Sequence, residues 1–334
     1  MSTIYEVSKL AGVSLATVSR VMNGSARVSE TTQRKVKDAM EQLGYRPNSA
    51  AISLASKRSN CIGILVAELD GVFFGSMMSG IEATLREFNK HVVVTAGHSD
   101  EKDELDGIEF LRTRNCDAII VHAEKLTDAQ LIELAKGDIP LFIINRNIQE
   151  IANRCISLDN IYGGYLATKH VLENGHRDIV NISGPDYKMD ASERVVGFKN
   201  ALEEYAIDYD PERIFIGNYH QESGAAAIDH FLEQQIPFTA VICGNDQMAI
   251  GAMSRLRELN RTPAEDVAIV GFDDVSFAAC TFPTLTTIRY PIDKMGQQMA
   301  NLVLSKVYQI KISTQIQHSF EPLLIQRQSV NAIG

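Results

Sequence analysis

The sequence predicts an all-α N-terminal unit followed by an α/β core of two lobes, each built on a parallel sheet. Three observations indicate this fold class. Apolar residues recur at helical spacing through the first 45 residues, strand-like apolar runs alternate with amphipathic helices from Cys61 onward, and the alternation restarts after Asp159. A chain of 334 residues with 45% apolar side chains is long enough for several folded units, and this composition excludes fibrous and wholly disordered classes.

Charge is distributed unevenly between the two parts of the chain. Residues 1–59 carry nine basic and four acidic side chains, whereas the remaining 275 residues carry 23 basic and 38 acidic ones. A basic segment attached to an acidic body is typical of a protein whose small N-terminal unit binds a polyanion such as nucleic acid. From charge alone, a basic terminus without such a role stays open as the alternative.

The first predicted helix and the turn after it follow from residue spacing. Ile4, Val7 and Leu10 recur at helical spacing, and the pattern stops at Gly12, which readily adopts the positive φ of a tight turn. Ser14 then stands where the N-cap of a second helix belongs.

Two further helices complete the N-terminal unit. The second covers residues 15–23, with Val18 and Val21 facing a core, and the third covers 29–43. The core-facing residues of the third helix are Val36, Ala39, Met40 and Leu43. Two short helices joined by a glycine-containing turn predict a helix-turn-helix, whose second helix enters the major groove of DNA.

Side chains on the second helix are the candidates for contact with DNA. Leu15 and Ala16 can press on thymine methyl groups, and Arg20 can donate two hydrogen bonds to guanine. Short hydroxyl side chains near a helix N-terminus suit phosphate oxygens. The complete assigned set on this segment is Ser14, Leu15, Ala16, Thr17, Ser19, Arg20 and Asn23.

Two strings in this region resemble the headpiece of the lactose/galactose repressor (LacI/GalR) family. They are GVSLATVSRVMNGSARVSE at 12–30 and LGYRPN at 43–48. The resemblance implies a DNA-binding headpiece at 1–45 and a hinge at 46–59, in which residues 48–56 form a helix on operator DNA and Leu54 wedges into the minor groove. A short Ala/Ser-rich segment is a marginal helix in isolation, so its folding can be coupled to binding. A plain solvated linker is the alternative.

The core is predicted from its repeated strand and helix pattern. The apolar runs CIGILVA, HVVVTA, DAIIVH and LFIIN form the first set, and DIVNIS, RIFIG, TAVICG and VAIVGF form the second. Helices are expected near 161–173, 191–205, 222–234 and 246–259. Two copies of one architecture place a ligand cleft between them, at the carboxyl ends of the strands.

The sequence contains none of the common catalytic or cofactor motifs. A phosphate loop, a G-x-G-x-x-G fingerprint, a G-x-S-x-G elbow and an H-E-x-x-H pair do not occur, and the five cysteines include no C-x-x-C pair. We therefore expect no catalytic residues, no metal and no cofactor, and we interpret the cysteines as reduced and mostly buried thiols. Asp273 and Asp274 leave two interpretations open: metal or general-base chemistry, or carboxylates at a cleft that bind hydroxyl groups.

The resemblance extends through the core. NRCISLDNIYGG at 153–164, FTAVICGNDQMAIGAM at 238–253, VGFDDVSFAACTFPTLTTIRYPI at 270–292 and LLIQRQSV at 323–330 resemble the effector-binding core of the same family, which is similar to periplasmic sugar-binding proteins. VHA at 121–123 and INR at 144–146 are nearer its galactose branch than its lactose or purine branches. This implies a sugar-binding and dimerisation core at 60–334, with lobe 1 at about 60–159 and 289–317 and lobe 2 at about 160–288 and 318–330.

The resemblance also implies which residues bind the effector. Arg194 matches an arginine that grips polar groups of the ligand, and Asn245 and Asp273 match side chains that bind sugar hydroxyls. The full implied set is Phe73, Phe74, Asn145, Asp190, Arg194, Tyr219, Asn245 and Asp273. Aromatic rings facing Asp, Asn and Arg suit a sugar, which has an apolar C–H face and a rim of hydroxyls. Core packing of Phe73 and Phe74, and a surface cap by Asp190, are the alternatives.

The implied function is that of a cytoplasmic, homodimeric transcriptional repressor that a galactose-like sugar releases from operator DNA, without a cofactor and without a membrane segment. A regulator of another carbohydrate, or of a purine or nucleoside acting as corepressor, is the alternative within the family. A transport-type sugar-binding protein and a sugar-modifying enzyme are the alternatives outside it.

Dimerisation is expected to use the first lobe. The candidates lie on the helix after Gly75, namely Met77, Ile81 and Leu85, although the same side chains suit a core equally well. The sequence shows no C-terminal heptad segment, so a dimer rather than a tetramer is expected.

Overall fold

The computed structural model describes residues 2–22, 28–46 and 58–333. The chain divides into two compact units, Met1–Cys61 and Ile62–Gly334. Asn23, Leu54 and residues 47–57 of the expected hinge lie outside the described residues, so the predictions made for them stay predictions.

The first unit consists of the three expected helices, α1 (Ile4–Ala11), α2 (Leu15–Met22) and α3 (Glu30–Gln42). Thr3 and Glu6 form a capping box at the start of α1, which satisfies two free backbone N–H groups reciprocally. Gly12 ends α1 with φ 65°, as the turn requires. The Ser14 hydroxyl accepts a hydrogen bond from the Thr17 backbone N–H at 3.2 Å and so caps α2.

Four fully buried side chains form the core of this unit: Val7, Val18, Val36 and Ala39. Leu10 shares the helical spacing of Ile4 and Val7, but half of its surface is exposed. Position 11 lies one turn beyond Val7, so Ala11 packs on the core in place of Leu10.

The second unit alternates strands and helices, as predicted. The strands are β1 (Cys61–Val66), β2 (His91–Ala96), β3 (Ala118–Val121), β4 (Leu141–Ile144), β5 (Cys155–Leu158), β6 (Ile179–Ser183), β7 (Ile214–Ile216), β8 (Ala240–Cys243), β9 (Ala268–Asp273), β10 (Thr286–Arg289), β11 (Ser319–Phe320) and β12 (Leu323–Ile325). The helices are α4 (Val72–Glu87), α5 (Glu101–Thr113), α6 (Asp128–Ala135), α7 (Asn160–Glu173), α8 (Met189–Glu204), α9 (Gln221–Glu233), α10 (Asp246–Glu258) and α11 (Ile292–Tyr308).

The strands form two six-stranded sheets, one in each lobe. The first has the order β11-β5-β4-β3-β1-β2 and the second β12-β10-β9-β8-β6-β7, with β12 antiparallel to β10. The chain passes between the lobes after β5, after β10 and again after β11. The last crossing follows Phe320, whereas the sequence placed it between residues 317 and 318. Ser319 and Phe320 still pair with β5 of the first sheet.

The first lobe contains the side chains proposed for dimerisation. Met77, Ile81 and Leu85 are completely buried within the protomer, where α4 packs against α11. They therefore form core rather than a dimer surface, which resolves the alternative that the sequence left open.

The five cysteines are all free thiols. Cys116, Cys155 and Cys243 are buried, Cys61 is half-buried and Cys280 is exposed. Within the described residues, no helix combines the length and apolar character needed to cross a membrane.

A pair of glycines in α4 tests the close packing of the first lobe. A Cβ at Gly80 would lie 2.3 Å from the Asp293 carbonyl oxygen of α11, whereas a Cβ at Gly75 would meet nothing within 4 Å. Gly80→Ala should lower the free energy of unfolding by about 1–3 kcal/mol because the two helices must separate. Gly75→Ala should raise it by about 0.5–1 kcal/mol, because alanine loses less backbone entropy on folding. Urea denaturation compares the two variants, and equal effects would contradict the packing described here.

Candidate functional site

A cleft of about 640 Å³, including space open to solvent, lies at the carboxyl ends of strands from both lobes. This volume is within the range of small-molecule sites in proteins. The first lobe contributes residues after β1, the first turn of α4 and the segment after β3. The second lobe contributes the start of α8, residues that follow β7 and β8, and Asp273 at the end of β9. The lining residues are Glu68, Asp70, Gly71, Phe73, Phe74, His122, Glu124, Lys188, Asp190, Arg194, Asn218, Tyr219, His220, Asn245, Gln247 and Asp273.

Seven of the eight side chains assigned to the effector from the sequence line this cleft. Asn145 is the exception: it lines an adjoining cavity, which shares His122, Glu124, Lys188 and Asp190 with the cleft. It follows β4 with φ 66°, and its side-chain oxygen accepts a hydrogen bond from the Tyr290 hydroxyl. Its amide nitrogen lies 3.3 Å from the His122 ring, so Asn145 contacts a residue of the cleft, and its role towards the effector stays a prediction.

The first lobe supplies an aromatic wall. The rings of Phe73 and Phe74 meet edge to face with centroids 5.3 Å apart, and Phe73 makes the same contact with Tyr290 at 5.0 Å. Phe74 packs in this way on His122 at 5.2 Å. Both phenylalanines are half-buried and also contact the core of the lobe. Core packing and a lining role therefore coexist at these positions, and edge-to-face contacts hold the rings rigidly.

The second lobe supplies a buried arginine. The Arg194 Nε donates to the Asn160 side-chain oxygen at 3.1 Å, and Nη1 donates to the Gly244 carbonyl at 2.5 Å. Nη2 lies 3.6 Å from the Asp190 carboxylate, and the guanidinium lies 3.7 Å from the centroid of the Phe272 ring. Asp190 also accepts from the Ala191 N–H at 2.8 Å, but the N-cap of α8 is Lys188, so Asp190 lies beside the arginine and does not cap the helix.

Asn245 fixes two neighbouring elements. Its side-chain oxygen accepts from the Met248 N–H at 2.9 Å and caps α10, and its amide nitrogen donates to the Tyr219 carbonyl at 2.9 Å. One amide N–H of Asn245 is left to donate to a bound molecule.

Tyr219 and Asp273 are the strained residues of the cleft. Their φ angles are 71° and 103°, a region that costs a non-glycine residue about 1–3 kcal/mol and that clusters at functional sites. Among the described residues, no hydrogen-bond partner exists for the Tyr219 hydroxyl. Burial raises the pKa of Asp273 to about 7, while nearby Arg194 lowers it and Asp190 raises it. The two groups can therefore accept hydrogen bonds from, or donate them to, a ligand in the cleft.

Sequence reasoning missed the other lining residues, although their positions carried a signal. Glu68, His122 and Asn218 follow β1, β3 and β7 closely, so a rule that inspects polar residues directly after each strand would have found them. Lys188 precedes a helix, and nothing in the local sequence marks it. No group of three or more metal-ligating side chains converges in the part of the chain that the structure describes.

The described side chains assigned to DNA contact all lie in the first unit, on α2 or at its N-terminus. Ser14, Ala16 and Arg20 are exposed, with Ala16 and Arg20 one turn apart on α2, opposite the buried Val18. Leu15, Thr17 and Ser19 are half-buried. The Ser14 and Thr17 hydroxyls also lie 2.9 Å apart, so the proposed phosphate contacts would come from groups already ordered by helix capping.

Comparison with known proteins covers both units. A family model described as bacterial regulatory proteins, lacI family, matches residues 3–48. A second, described as periplasmic binding proteins and sugar binding domain of LacI family, matches residues 59–332. The HTH-type transcriptional regulator GalR of Escherichia coli (strain K12) is 37% identical over 331 residues, covering 99% of this chain and 96% of the relative.

Two further comparisons extend this finding. The HTH-type transcriptional repressor PurR of Vibrio vulnificus (strain CMCP6) is 35% identical over 337 residues, covering 100% of both chains. The crystal structure of the lac repressor dimer bound to operator and the anti-inducer ONPF superposes with a TM-score of 0.87 at 27% identity, covering 99% of each chain.

Two neighbouring carboxylates at the end of β9, Asp273 and Asp274, give a test of the electrostatics in the cleft. Asp273 has a pKa of about 7 in the folded protein and is far more acidic when unfolded, so the folded state is penalised increasingly as pH rises from about 4 to 7. Asp273→Asn removes a carboxylate that folding must desolvate. It should raise the free energy of unfolding by roughly 1–4 kcal/mol at pH 8 and by less at pH 5.

Asp274 is the matched control. Its carboxylate is paired with Arg289 at 2.7 Å and Arg327 at 2.5 Å, so Asp274→Asn should destabilise the protein. Urea denaturation at both pH values measures the two variants. Destabilisation by Asp273→Asn at pH 8 would contradict the assignment.

Proposed function

The chain belongs to the LacI family of bacterial regulatory proteins, and from this membership we propose that it is a transcriptional repressor whose affinity for operator DNA is controlled by a sugar. Its relatives are transcriptional regulators, and the chain is a DNA-binding regulator rather than an enzyme. The observation that carries the proposal is the presence, in one chain, of a helix-turn-helix unit and of a cleft in which aromatic rings face an arginine and a carboxylate.

The proposed ligand is a neutral hexose of the galactose type. Phe73 and Phe74 offer an apolar wall to the C–H face of a sugar ring, and Asp273, Asn245 and Arg194 offer polar groups to its hydroxyls. The similarity to GalR supports this choice. A purine or nucleoside corepressor is the second candidate, since PurR matches over the whole chain and aromatic rings also stack on bases.

The proposed mechanism links the cleft to operator binding. A ligand that contacts both lobes favours the arrangement in which they lie close together, and that arrangement would disfavour the operator-bound state of the hinge, residues 46–59. Two headpieces of a homodimer would occupy the half-sites of a pseudo-palindromic operator in successive major grooves, with Leu54 at its centre. A protein that binds operator DNA acts where the DNA is, so the proposed location is the cytoplasm.

A thermal-shift screen tests the sugar assignment. D-galactose should raise the melting temperature, because a ligand that binds only the folded state stabilises it by about 2.7 kcal/mol at one hundred times its Kd. Asp273→Asn should abolish the shift, whereas Glu82→Gln, on the outer surface of α4, should retain it. A response to guanine or hypoxanthine but to no sugar would favour the corepressor alternative.

Arg20 tests the assigned contact with DNA bases. Arg20→Ala should relax base preference at one operator position at a cost of about 1–3 kcal/mol, because a bidentate contact to guanine is lost. Binding to a randomised operator library, followed by sequencing of the bound fraction, measures this preference. Lys9→Ala, which removes an exposed basic side chain from α1, is the control and should leave base preference unchanged. A uniform loss of affinity for Arg20→Ala would make Arg20 a phosphate contact.

A further inference from the structure

A fully buried carboxylate organises the segment that follows β3. Glu104 of α5 accepts hydrogen bonds from the backbone N–H groups of Glu124 at 2.7 Å, Lys125 at 3.1 Å and Leu126 at 2.9 Å. The Glu104 side chain is completely inaccessible to solvent. Three N–H donors compensate the cost of burying its charge, so the 124–126 backbone is fixed to the body of the first lobe.

This fixed segment contacts the second lobe at two adjacent points. The Glu124 carboxylate lies 2.8 Å from the Lys188 Nζ, and these side chains are only 8% and 13% exposed. The Lys125 Nζ lies 3.3 Å from the centroid of the Tyr187 ring. Residues 187 and 188 directly precede α8, which carries Asp190 and Arg194. Two consecutive residues of one lobe therefore hold two consecutive residues of the other.

The ion pair also borders the ligand cleft. Glu124 and Lys188 line that cleft and line an adjoining cavity of about 650 Å³ on its other side. The Ser99 hydroxyl donates to the Glu124 carboxylate, and the Lys188 Nζ lies 5.0 Å from the centroid of the Tyr219 ring. Both charges are thus held in place within their own lobes as well as by each other.

The pair has an energetic consequence for lobe movement. The ion pair between Glu124 and Lys188 exists only in an arrangement in which the lobes are close, because separation of the lobes breaks it. Separation returns both charges to water. In a variant that lacks one partner, the other charge is buried and uncompensated in the closed arrangement only, so such a variant should favour open lobes. A surface ion pair would have little such effect.

We propose that Glu124 and Lys188 form a clasp between the lobes, with Glu104 as its positioning residue, and that this clasp determines how firmly the cleft retains its ligand. Lys125 and Tyr187 reinforce it. The clasp favours the closed arrangement, so it lowers the free energy that the ligand itself must supply to close the lobes. Its relation to repression rests on the function proposed above, whereas its effect on lobe separation does not.

Charge reversal tests the clasp directly in the full-length chain. Spin labels attached through Asp106→Cys in the first lobe and Glu203→Cys in the second report the distance between lobes by double electron–electron resonance. The exposed and half-buried thiols are removed by Cys280→Ser and Cys61→Ser, and dilution with unlabelled protein removes distances between protomers.

Glu124→Lys and Lys188→Glu should each increase the population of longer inter-lobe distances by at least about fivefold. The double variant, which exchanges the two charges, should restore the parental distribution, and Glu104→Gln should resemble the single reversals. Exchange of the exposed pair Glu82 and Arg86 within α4, by Glu82→Lys and Arg86→Glu, is the control and should change nothing. Unchanged distances in the single reversals, or a double variant as open as either single one, would overturn the clasp.

Titration of the same variants with D-galactose tests whether the clasp affects how tightly the ligand is retained. Each single reversal should weaken binding about tenfold or more, with recovery in the double variant. Recovery of the inter-lobe distances without binding of D-galactose to any variant, parent included, would refute the sugar assignment while leaving the clasp supported.

Discussion

The buried guanidinium of Arg194 is the interaction on which the second lobe's side of the cleft depends. A charge removed from water costs several kcal/mol unless hydrogen bonds and an opposite charge compensate it. The compensating groups are Asn160 on α7, the Gly244 carbonyl after β8 and Asp190 on α8, with the Phe272 ring of β9 against its face. One side chain thereby fixes the relative positions of elements that are distant in sequence. The polar groups that these elements present to the cleft are held in fixed positions as a result.

The two lobes contribute different chemistry to the cleft. The second lobe presents fixed polar groups around Arg194 and Asp273, and the first presents an aromatic wall and the segment anchored by Glu104. Neither half alone can surround a small polar molecule that has an apolar face. A ligand that satisfies both halves must therefore favour the arrangement in which they meet, and this differential affinity is the physical basis of the proposed control of operator binding.

Patterns local in sequence were sufficient to predict most of the fold. Helical spacing and caps gave the three N-terminal helices, and apolar runs with intervening helices gave the two sheets. Burial depends on which side of a helix faces its neighbours. Residue spacing alone does not show that Leu10 is exposed while Ala11 packs on the core. The last crossing between lobes was misplaced because the two-residue strand Ser319–Phe320 is too short to leave a pattern.

Some residues of the candidate site could be predicted from the sequence, whereas those that depend on contacts between distant parts of the chain could not. Strand ends and the family resemblance identified the residues around Arg194 and Asp273. They gave no sign that Asn145 accepts a hydrogen bond from Tyr290, nor of the pair between Glu124 and Lys188. Those residues are 64 positions apart, and a contact between lobes is a property of the tertiary structure alone.

The proposed function depends most on the coupling between the cleft and operator binding, and fluorescence anisotropy with a labelled operator duplex measures this coupling directly. The dissociation constant of the full-length protein for operator should rise about 5- to 150-fold at saturating D-galactose, and operator should weaken D-galactose binding by the same factor. Equal operator affinity with and without bound D-galactose would contradict this coupling.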